Sequence, residues 1–188
     1  MRRLGFLAIT LGLAFAAKAG AITYLSQEEA LALAFPEGSE ARPVTLLLDA
    51  AGRERYFEAL DVRPPEGEKY EAWEGIKDGV HQGYAFILTE KSRYRPITFL
   101  VAVDPEGKVR RVDVMVYREP RGGEVRQQKF LDQYKGQDGG VQLGRDLVSI
   151  SGATVSAQVM TFGVNKALFL AKELRLRNLP PVPASAQK

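Results

Sequence analysis

The chain has 188 residues, 45% of them apolar and 26% charged, which suits one globular domain with a sizeable core and excludes wholesale disorder. It contains no cysteine and one histidine, so disulfides, iron–sulfur clusters, cysteine-linked haem and histidine-rich metal sites are excluded, and no metal site is expected. Its 26 basic and 23 acidic residues give a formal charge of +3. Any redox chemistry in this chain therefore needs an organic cofactor.

Residues 1–21 have the pattern of a secretory signal peptide. Arg2 and Arg3 precede an almost wholly apolar run over residues 4–17, and small residues at 17, 19 and 21 fit a cleavage site. An uncleaved anchor is the alternative, although the run is shorter than the roughly 20 residues that span a bilayer. We expect an exported, periplasmic or otherwise extracytoplasmic protein. The remaining chain has 23 basic and 23 acidic residues, so nucleic-acid binding is not expected.

A capped helix is predicted near the start of the remaining chain. Ser26 is a typical N-cap residue, Glu29 follows it in capping-box spacing, and Pro36 ends the Ala/Leu-rich run. The pattern therefore predicts a helix that ends at about Phe35.

The rest of the first segment, residues 22–79, is predicted to hold strands and a connection. Residues 44–48 favour a strand, and a second strand is predicted around Tyr56 and Phe57. Residues 61–79 are rich in proline, glycine and charge, which indicates a surface connection.

The strongest strand signals lie in the middle of the chain, at residues 84–88, 97–103 and 109–117. Turn-forming residues 104–107 join the last two runs, which predicts an antiparallel hairpin. In the final run, valines alternate with other residues, which predicts one buried and one more polar face. The predicted buried face has Val112, Val114 and Val116, and the more polar face has Arg111, Asp113 and Met115. The fold class is therefore α+β, a mostly antiparallel sheet packed by helices.

Two further helices are predicted, a short one over residues 129–134 that ends at Gly136 and a long one from about Thr154. The long helix has an apolar stripe at helical spacing: Met160, Val164, Ala167, Leu168, Ala171, Leu174. A separate polar stripe contains Thr154, Gln158, Thr161, Asn165 and Lys172. Residues 80–177 thus form a second segment, and residues 178–188 are predicted to be a loose tail.

Residues 151–156 open the long helix and carry the strongest chemical signal. Gly152 and Ala153 leave room for a bulky group, and a helix start offers unpaired N–H groups and the positive end of the helix dipole. This is a natural seat for phosphate, to which the Thr154 hydroxyl could bond or be esterified. The residues alone leave open that Ser151 or Thr154 only caps the helix.

Residues 151–154, Ser-Gly-Ala-Thr, resemble the flavinylation motif of the FMN-binding domain family. This family includes the C subunit of the sodium-translocating NADH:quinone reductase and the G subunit of the Rnf electron-transport complex. Residues 119–122 and 130–136 resemble two further segments of the family, Glu-Thr-Pro-Gly and Phe-x-x-Gln-Phe-x-Gly, so the likeness extends over roughly residues 80–170. It implies that residues 80–177 form the FMN-binding domain. The early run that ends in Phe35-Pro36 also resembles standalone exported members.

The resemblance implies FMN joined covalently through its phosphate to Thr154. It places Ser151, Gly152, Ala153 and Ser156 around the cofactor, and it makes three other residues candidate neighbours of the flavin ring: Tyr84, Glu119, Gln133. For each of these three, a packing or loop contact is the alternative. No catalytic residue is expected, because the flavin carries the electron chemistry.

The chain departs from the family pattern in the loop, where Pro120-Arg121 stands in place of Thr-Pro, and at one position that bears on attachment. Six residues before the modified threonine the family usually has an aspartate that is thought to help the transferase recognise its substrate, and this chain has Val148. Asp146 and Ser149 stand close by in sequence, so either one compensates or modification is inefficient.

The resemblance implies an electron carrier, rather than an enzyme with its own small substrate, that exchanges electrons with a membrane redox partner. Its implied maturation partner is an exported, Mg²⁺-dependent flavin transferase that uses FAD. Two alternatives stay open: FMN held without a covalent bond, and an exported binding or structural module that kept the fold and lost the flavin.

Overall fold

A computed structural model describes residues 22–178. The predicted signal peptide lies outside the described residues, and so does the predicted tail apart from Asn178. None of the helices within 22–178 is long and apolar enough to span a membrane.

One antiparallel sheet of six strands organises this part of the chain, with the strand order β1-β6-β5-β4-β3-β2. The strands are β1 (Ile22–Thr23), β2 (Glu40–Leu47), β3 (Lys69–Lys77), β4 (Val80–Glu90), β5 (Ile97–Val103) and β6 (Val109–Tyr117). The helices are α1 (Gln27–Ala34), α2 (Ala50–Leu60), α3 (Gln128–Leu131) and α4 (Thr154–Asn178), with short 3-10 turns at Gly123–Arg126 and Asp132–Tyr134. The α+β class, the β5–β6 hairpin and the two later helices are confirmed.

The long helix α4 lies across one face of the sheet and forms the main core with it. All six residues of its predicted apolar stripe are buried. Gly163 allows the helix to approach closely, because a β-carbon there would lie 2.4 Å from Cζ of Phe99 on β5. The polar stripe is less uniform than predicted: Thr161 is buried, and its hydroxyl donates to the carbonyl of Ala157 at 2.8 Å.

Helix α1 covers the opposite face of the sheet. Its capping box is confirmed, with Ser26 N donating to the Glu29 carboxylate at 2.8 Å and Glu29 N donating to Ser26 Oγ at 3.2 Å. The predicted polar face of β6 is wrong in part, because Asp113 and Met115 are buried. Met115 packs with apolar residues of α1 in a second, smaller core, so the sheet is covered on both faces.

Two predictions for the first segment are wrong. Tyr56 and Phe57 lie in helix α2, because Asp49 caps its start by accepting from Gly52 N at 2.7 Å and Asp61 ends it in the left-handed region at φ 54°. Residues 61–79 are not only a connection, since β3 occupies Lys69–Lys77 and pairs with both β2 and β4. A single sheet therefore crosses the predicted segment boundary between residues 79 and 80.

Candidate functional site

Three segments meet at one end of the sheet and enclose an open cavity of about 550 Å³. They are the β4–β5 loop, the loop that follows β6, and the turn that leads into α4. Antiparallel pairing explains the meeting, because Ile97 pairs with both Glu90 and Tyr117 and so brings the two loops to the same edge. The lining residues are Ser92, Arg93, Tyr94, Glu119, Pro120, Arg121, Gly122, Gly152, Ala153, Thr154, Val155 and Ser156.

The start of α4 presents unpaired donors to this cavity. The first helical hydrogen bond runs from Ala157 N to the carbonyl of Ala153 at 2.9 Å, so Ala153 holds the N-cap position with a methyl group that accepts nothing. Among the described residues, the N–H groups of Thr154, Val155 and Ser156 have no acceptor, and neither Ser151 nor Thr154 makes a capping hydrogen bond. The simple capping interpretation therefore fails, and an exposed threonine hydroxyl stands beside free N–H groups.

A small hydrogen-bonded network fixes the loop after β6 to the first turn of α4. The Tyr117 hydroxyl donates to the carbonyl of Arg121 at 2.6 Å, so it accepts from the Ser156 hydroxyl at 3.0 Å. Burial raises the pKa of Tyr117, although the hydrogen bond with Ser156 works in the opposite direction. Ser156, predicted to surround the cofactor, lines the cavity but commits its proton to Tyr117, so its role here is to hold the wall in place.

Glu119 holds the β4–β5 loop in position. Its carboxylate accepts from the N–H groups of Tyr94 at 2.8 Å and Arg95 at 3.1 Å. Burial favours the neutral acid, but these hydrogen bonds outweigh it and lower the pKa of Glu119, so the side chain is an anion at neutral pH. The buried Ser92 hydroxyl lies near the carboxylate and adds to this effect, although it makes no hydrogen bond of ordinary distance and angle.

Tyr94 presents an exposed aromatic ring at the cavity, with 65% of the residue accessible to solvent. The guanidinium of Arg93 lies 5.4 Å from the ring centroid. Sequence reasoning missed both residues, together with Ser92 and Arg121. Their only signal is a charged and aromatic loop between two strands, which by itself is typical of any solvated turn.

The structure brings together five of the eight sequence-predicted site residues in the cavity wall: Thr154, Gly152, Ala153, Ser156, Glu119. Ser151 is exposed in the turn immediately before them. Tyr84 is buried in the core, with its ring centroid 4.8 Å from that of His81 and away from the cavity lining. Gln133 also lies outside the lining and contacts the backbone of Val148, accepting from its N–H at 2.7 Å.

Residues 94–169 match the family model described as the FMN-binding domain. This part of the chain is similar to the FMN-binding domain family. The match runs from the exposed Tyr94 to the middle of α4, so it contains Glu119, Gln133 and Thr154 and leaves Tyr84 outside. No curated protein matches the sequence.

The chemistry of the cavity wall suits a phosphate-bearing cofactor. Free N–H groups at a helix start favour an anion, and a β-carbon at Gly152 would meet no atom within 4 Å, so the wall is open at that point. Arg93 and Arg121 add positive charge beside the helix start. Within residues 22–178, no group of three or more His, Asp and Glu side chains is placed to hold a metal ion.

Proposed function

We propose that this chain is an extracytoplasmic electron-transfer flavoprotein whose FMN is linked to Thr154 through a phosphoester bond. One observation carries the proposal: in an FMN-binding domain, an exposed threonine hydroxyl stands in the first turn of a helix whose N–H groups are unpaired, at the wall of a cavity. The apolar run and cleavage pattern at residues 1–21 support export.

From this geometry we infer distinct tasks for the chain's own residues. The N–H groups of Thr154, Val155 and Ser156 offer donors to a phosphate, and the dipole of α4 favours its negative charge. The exposed ring of Tyr94 offers a flat surface for the flavin, and Glu119 keeps that ring in place through the loop backbone. When bound, FMN supplies one- and two-electron transfer, and the protein supplies position and electrostatics.

Attachment by group transfer needs a co-reactant, for which FAD is the chemical source. The Thr154 hydroxyl attacks the phosphorus on the FMN side of the FAD diphosphate and loses its proton to solvent or base. The bond to the bridging oxygen breaks, and AMP leaves. A flavin transferase that supplies Mg²⁺ is the proposed maturation partner, and a membrane redox protein is the proposed electron-transfer partner.

Tyr94→Ala is expected to shift the midpoint potential of the bound flavin and to raise its fluorescence, because a stacked phenol quenches the flavin and changes its surroundings. The measurements are a spectroelectrochemical titration and an emission spectrum of the loaded protein. Phe57→Ala is the matched control, because Phe57 is a partly exposed ring outside the cavity lining with the guanidinium of Arg63 4.4 Å from its centroid, and it is expected to leave both values unchanged. Identical values for the Tyr94 variant and the wild type would show that the flavin does not contact this ring.

The proposed function is tested by intact-mass spectrometry of the full-length gene product, co-expressed with a flavin transferase and recovered from the extracytoplasmic fraction. The expected product lacks residues 1–21 and carries the added mass of FMN less water, with the yellow colour retained after denaturation. Peptide mapping is expected to place the added mass on the peptide that contains Thr154. Colour that washes out on denaturation would replace the phosphoester with non-covalent binding.

Val148→Asp is the second arm of this experiment, because it restores the carboxylate that the family usually has at this position. Val148 is 75% exposed, so the substitution places a charge at the surface without burying it. Asp146 is a poor substitute, since its carboxylate accepts from Arg145 and from Gln142 N at 2.8 Å each. We expect a larger flavin-bearing fraction in Val148→Asp than in the wild type. An unmodified chain in both arms would overturn the covalent proposal.

A further inference from the structure

Positive charge is concentrated around the mouth of the flavin cavity. Six basic residues come from the β4–β5 loop and from the segment after β6, which antiparallel pairing brings to the same end of the sheet: Lys91, Arg93, Arg95, Arg118, Arg121 and Arg126. All are exposed except Arg118, which is partly exposed. We call this set the basic rim.

None of the six makes an ion pair with a carboxylate in the part of the chain that the structure describes. Their few contacts are with neutral groups: Arg118 donates to Thr98 Oγ1 at 3.1 Å, and Arg126 donates to the carbonyl of Gly123 at 2.9 Å. The nearby anion Glu119 is occupied by backbone N–H groups. The rim therefore keeps six unpaired positive charges, against the two carboxylates of Glu119 and Glu124 in the segment after β6.

The cofactor does not account for this charge. A phosphate diester carries one negative charge, and the helix start together with Arg93 and Arg121 already faces it. Three members of the rim lie outside the cavity lining: Lys91, Arg95 and Arg126. Their charge indicates a partner other than the cofactor. Unpaired charge of one sign around a reactive site steers oppositely charged partners and accelerates their encounter.

We propose that the basic rim is the docking surface for an acidic face of a redox protein, which exchanges electrons with the flavin at the mouth of the cavity. This inference rests on the proposed function. A protein partner fits better than an anionic membrane, because the charge lies on two of the three segments that line the opening to the cofactor and a lipid surface has no redox centre. Exposed Tyr94 and Val155, 65% and 41% accessible, supply apolar contact area inside the ring of charge.

The test uses the mature, flavin-loaded chain and two haem proteins as probes, the acidic haem domain of cytochrome b5 and the basic cytochrome c. Stopped-flow oxidation of the reduced flavin is followed at low and at physiological ionic strength. The rim variant is Lys91→Gln with Arg95→Gln, which removes two charges outside the cavity lining. The matched control is Lys108→Gln with Lys135→Gln, two exposed lysines at the opposite end of the sheet. Lys108 precedes Val109, and Lys135 precedes Gly136, whose N–H donates to the carbonyl of Val109 at 2.8 Å.

With cytochrome b5 as acceptor, we expect the rate to fall steeply with salt, and the rim variant to be about threefold to tenfold slower at low salt while the control variant matches the wild type. Cytochrome c is expected to show the opposite salt dependence. The proposal would be overturned if the oxidation rate did not depend on salt, or if the rim variant and the control variant reacted at the same rate. Loss of binding to phosphatidylglycerol vesicles without any change in the cytochrome b5 rate would replace the protein partner with a membrane.

Failure of the proposed function is visible separately. The mass and absorption of each sample report whether flavin is present, and calorimetric binding of the cytochrome b5 domain needs no flavin. Salt-sensitive binding to a flavin-free chain would keep the docking surface and reject the flavoprotein, whereas loaded chains without such binding would reject the docking surface alone.

Discussion

Thr154→Ala is expected to remove all ester-linked flavin, which is the largest single effect that the site predicts. The side chain is exposed in the cavity wall and makes no hydrogen bond among the described residues, so the substitution removes the acceptor of the phosphoryl group without disturbing the fold. Alanine is also a strong helix former, so α4 is expected to keep its start. The measurement is the intact mass after co-expression with a flavin transferase.

Thr154→Ser separates chemistry from packing. It keeps a hydroxyl in the same first turn, so we expect partial or full modification, with the added mass on the same peptide. Thr161→Ser is a further control on the same helix, because that hydroxyl is buried and bonded to Ala157. Modified protein in the Thr154→Ala sample would show that another residue is the acceptor.

Gly122→Ala is expected to lower the free energy of unfolding by about 3 kcal/mol, since it combines strain in the left-handed region with overpacking. Gly122 has φ +79°, and a β-carbon there would lie 2.8 Å from Ser156 Oγ and 3.2 Å from the Tyr117 hydroxyl. Both atoms belong to the network that fixes the loop to the start of α4. We therefore expect flavin loading to fall together with stability.

Gly152→Ala is the matched control for this prediction. Gly152 has nearly the same backbone angle, φ +81°, and lines the same cavity, but a β-carbon there meets no atom within 4 Å. Its free energy of unfolding is expected to fall by about 1 kcal/mol, because only the strain of the left-handed backbone is added. Denaturant titration of the flavin-free chains measures both values. Equal losses in the two variants would show that the contact with Ser156 and Tyr117 is not tight.

Strong periodicity is what made the second half of the chain predictable. The stripe from Met160 to Leu174, the β5–β6 hairpin and the short helix before Gly136 each have a local pattern that tertiary packing reinforces. Residues 49–79 lack that agreement. Tyr56 and Phe57 favour strands by type, whereas the caps at Asp49 and Asp61 and the packing of Tyr56 against Phe169 of α4 favour the helix.

The site residues also differ in whether a local sequence pattern predicts them. Residues 151–156 could be found because a helix start is a local feature, and Glu119 because its segment resembles the family. Ser92, Arg93 and Tyr94 are far from Thr154 in sequence and reach it only through the pairing of β4, β5 and β6. Tyr84 has the right residue type but lies in the core, which no local pattern distinguishes from a cavity wall.

The cavity is complete only when its three wall segments have come together. Its floor is made by the last helix of the described chain, and its sides by loops that only the finished sheet brings together. A partly synthesised or unfolded chain contains the Ser-Gly-Ala-Thr motif but has no cavity around it. If the modifying enzyme reads the folded wall, colour would mark only molecules that have completed their longest-range contacts. Flavin loading would then report that the chain has folded correctly.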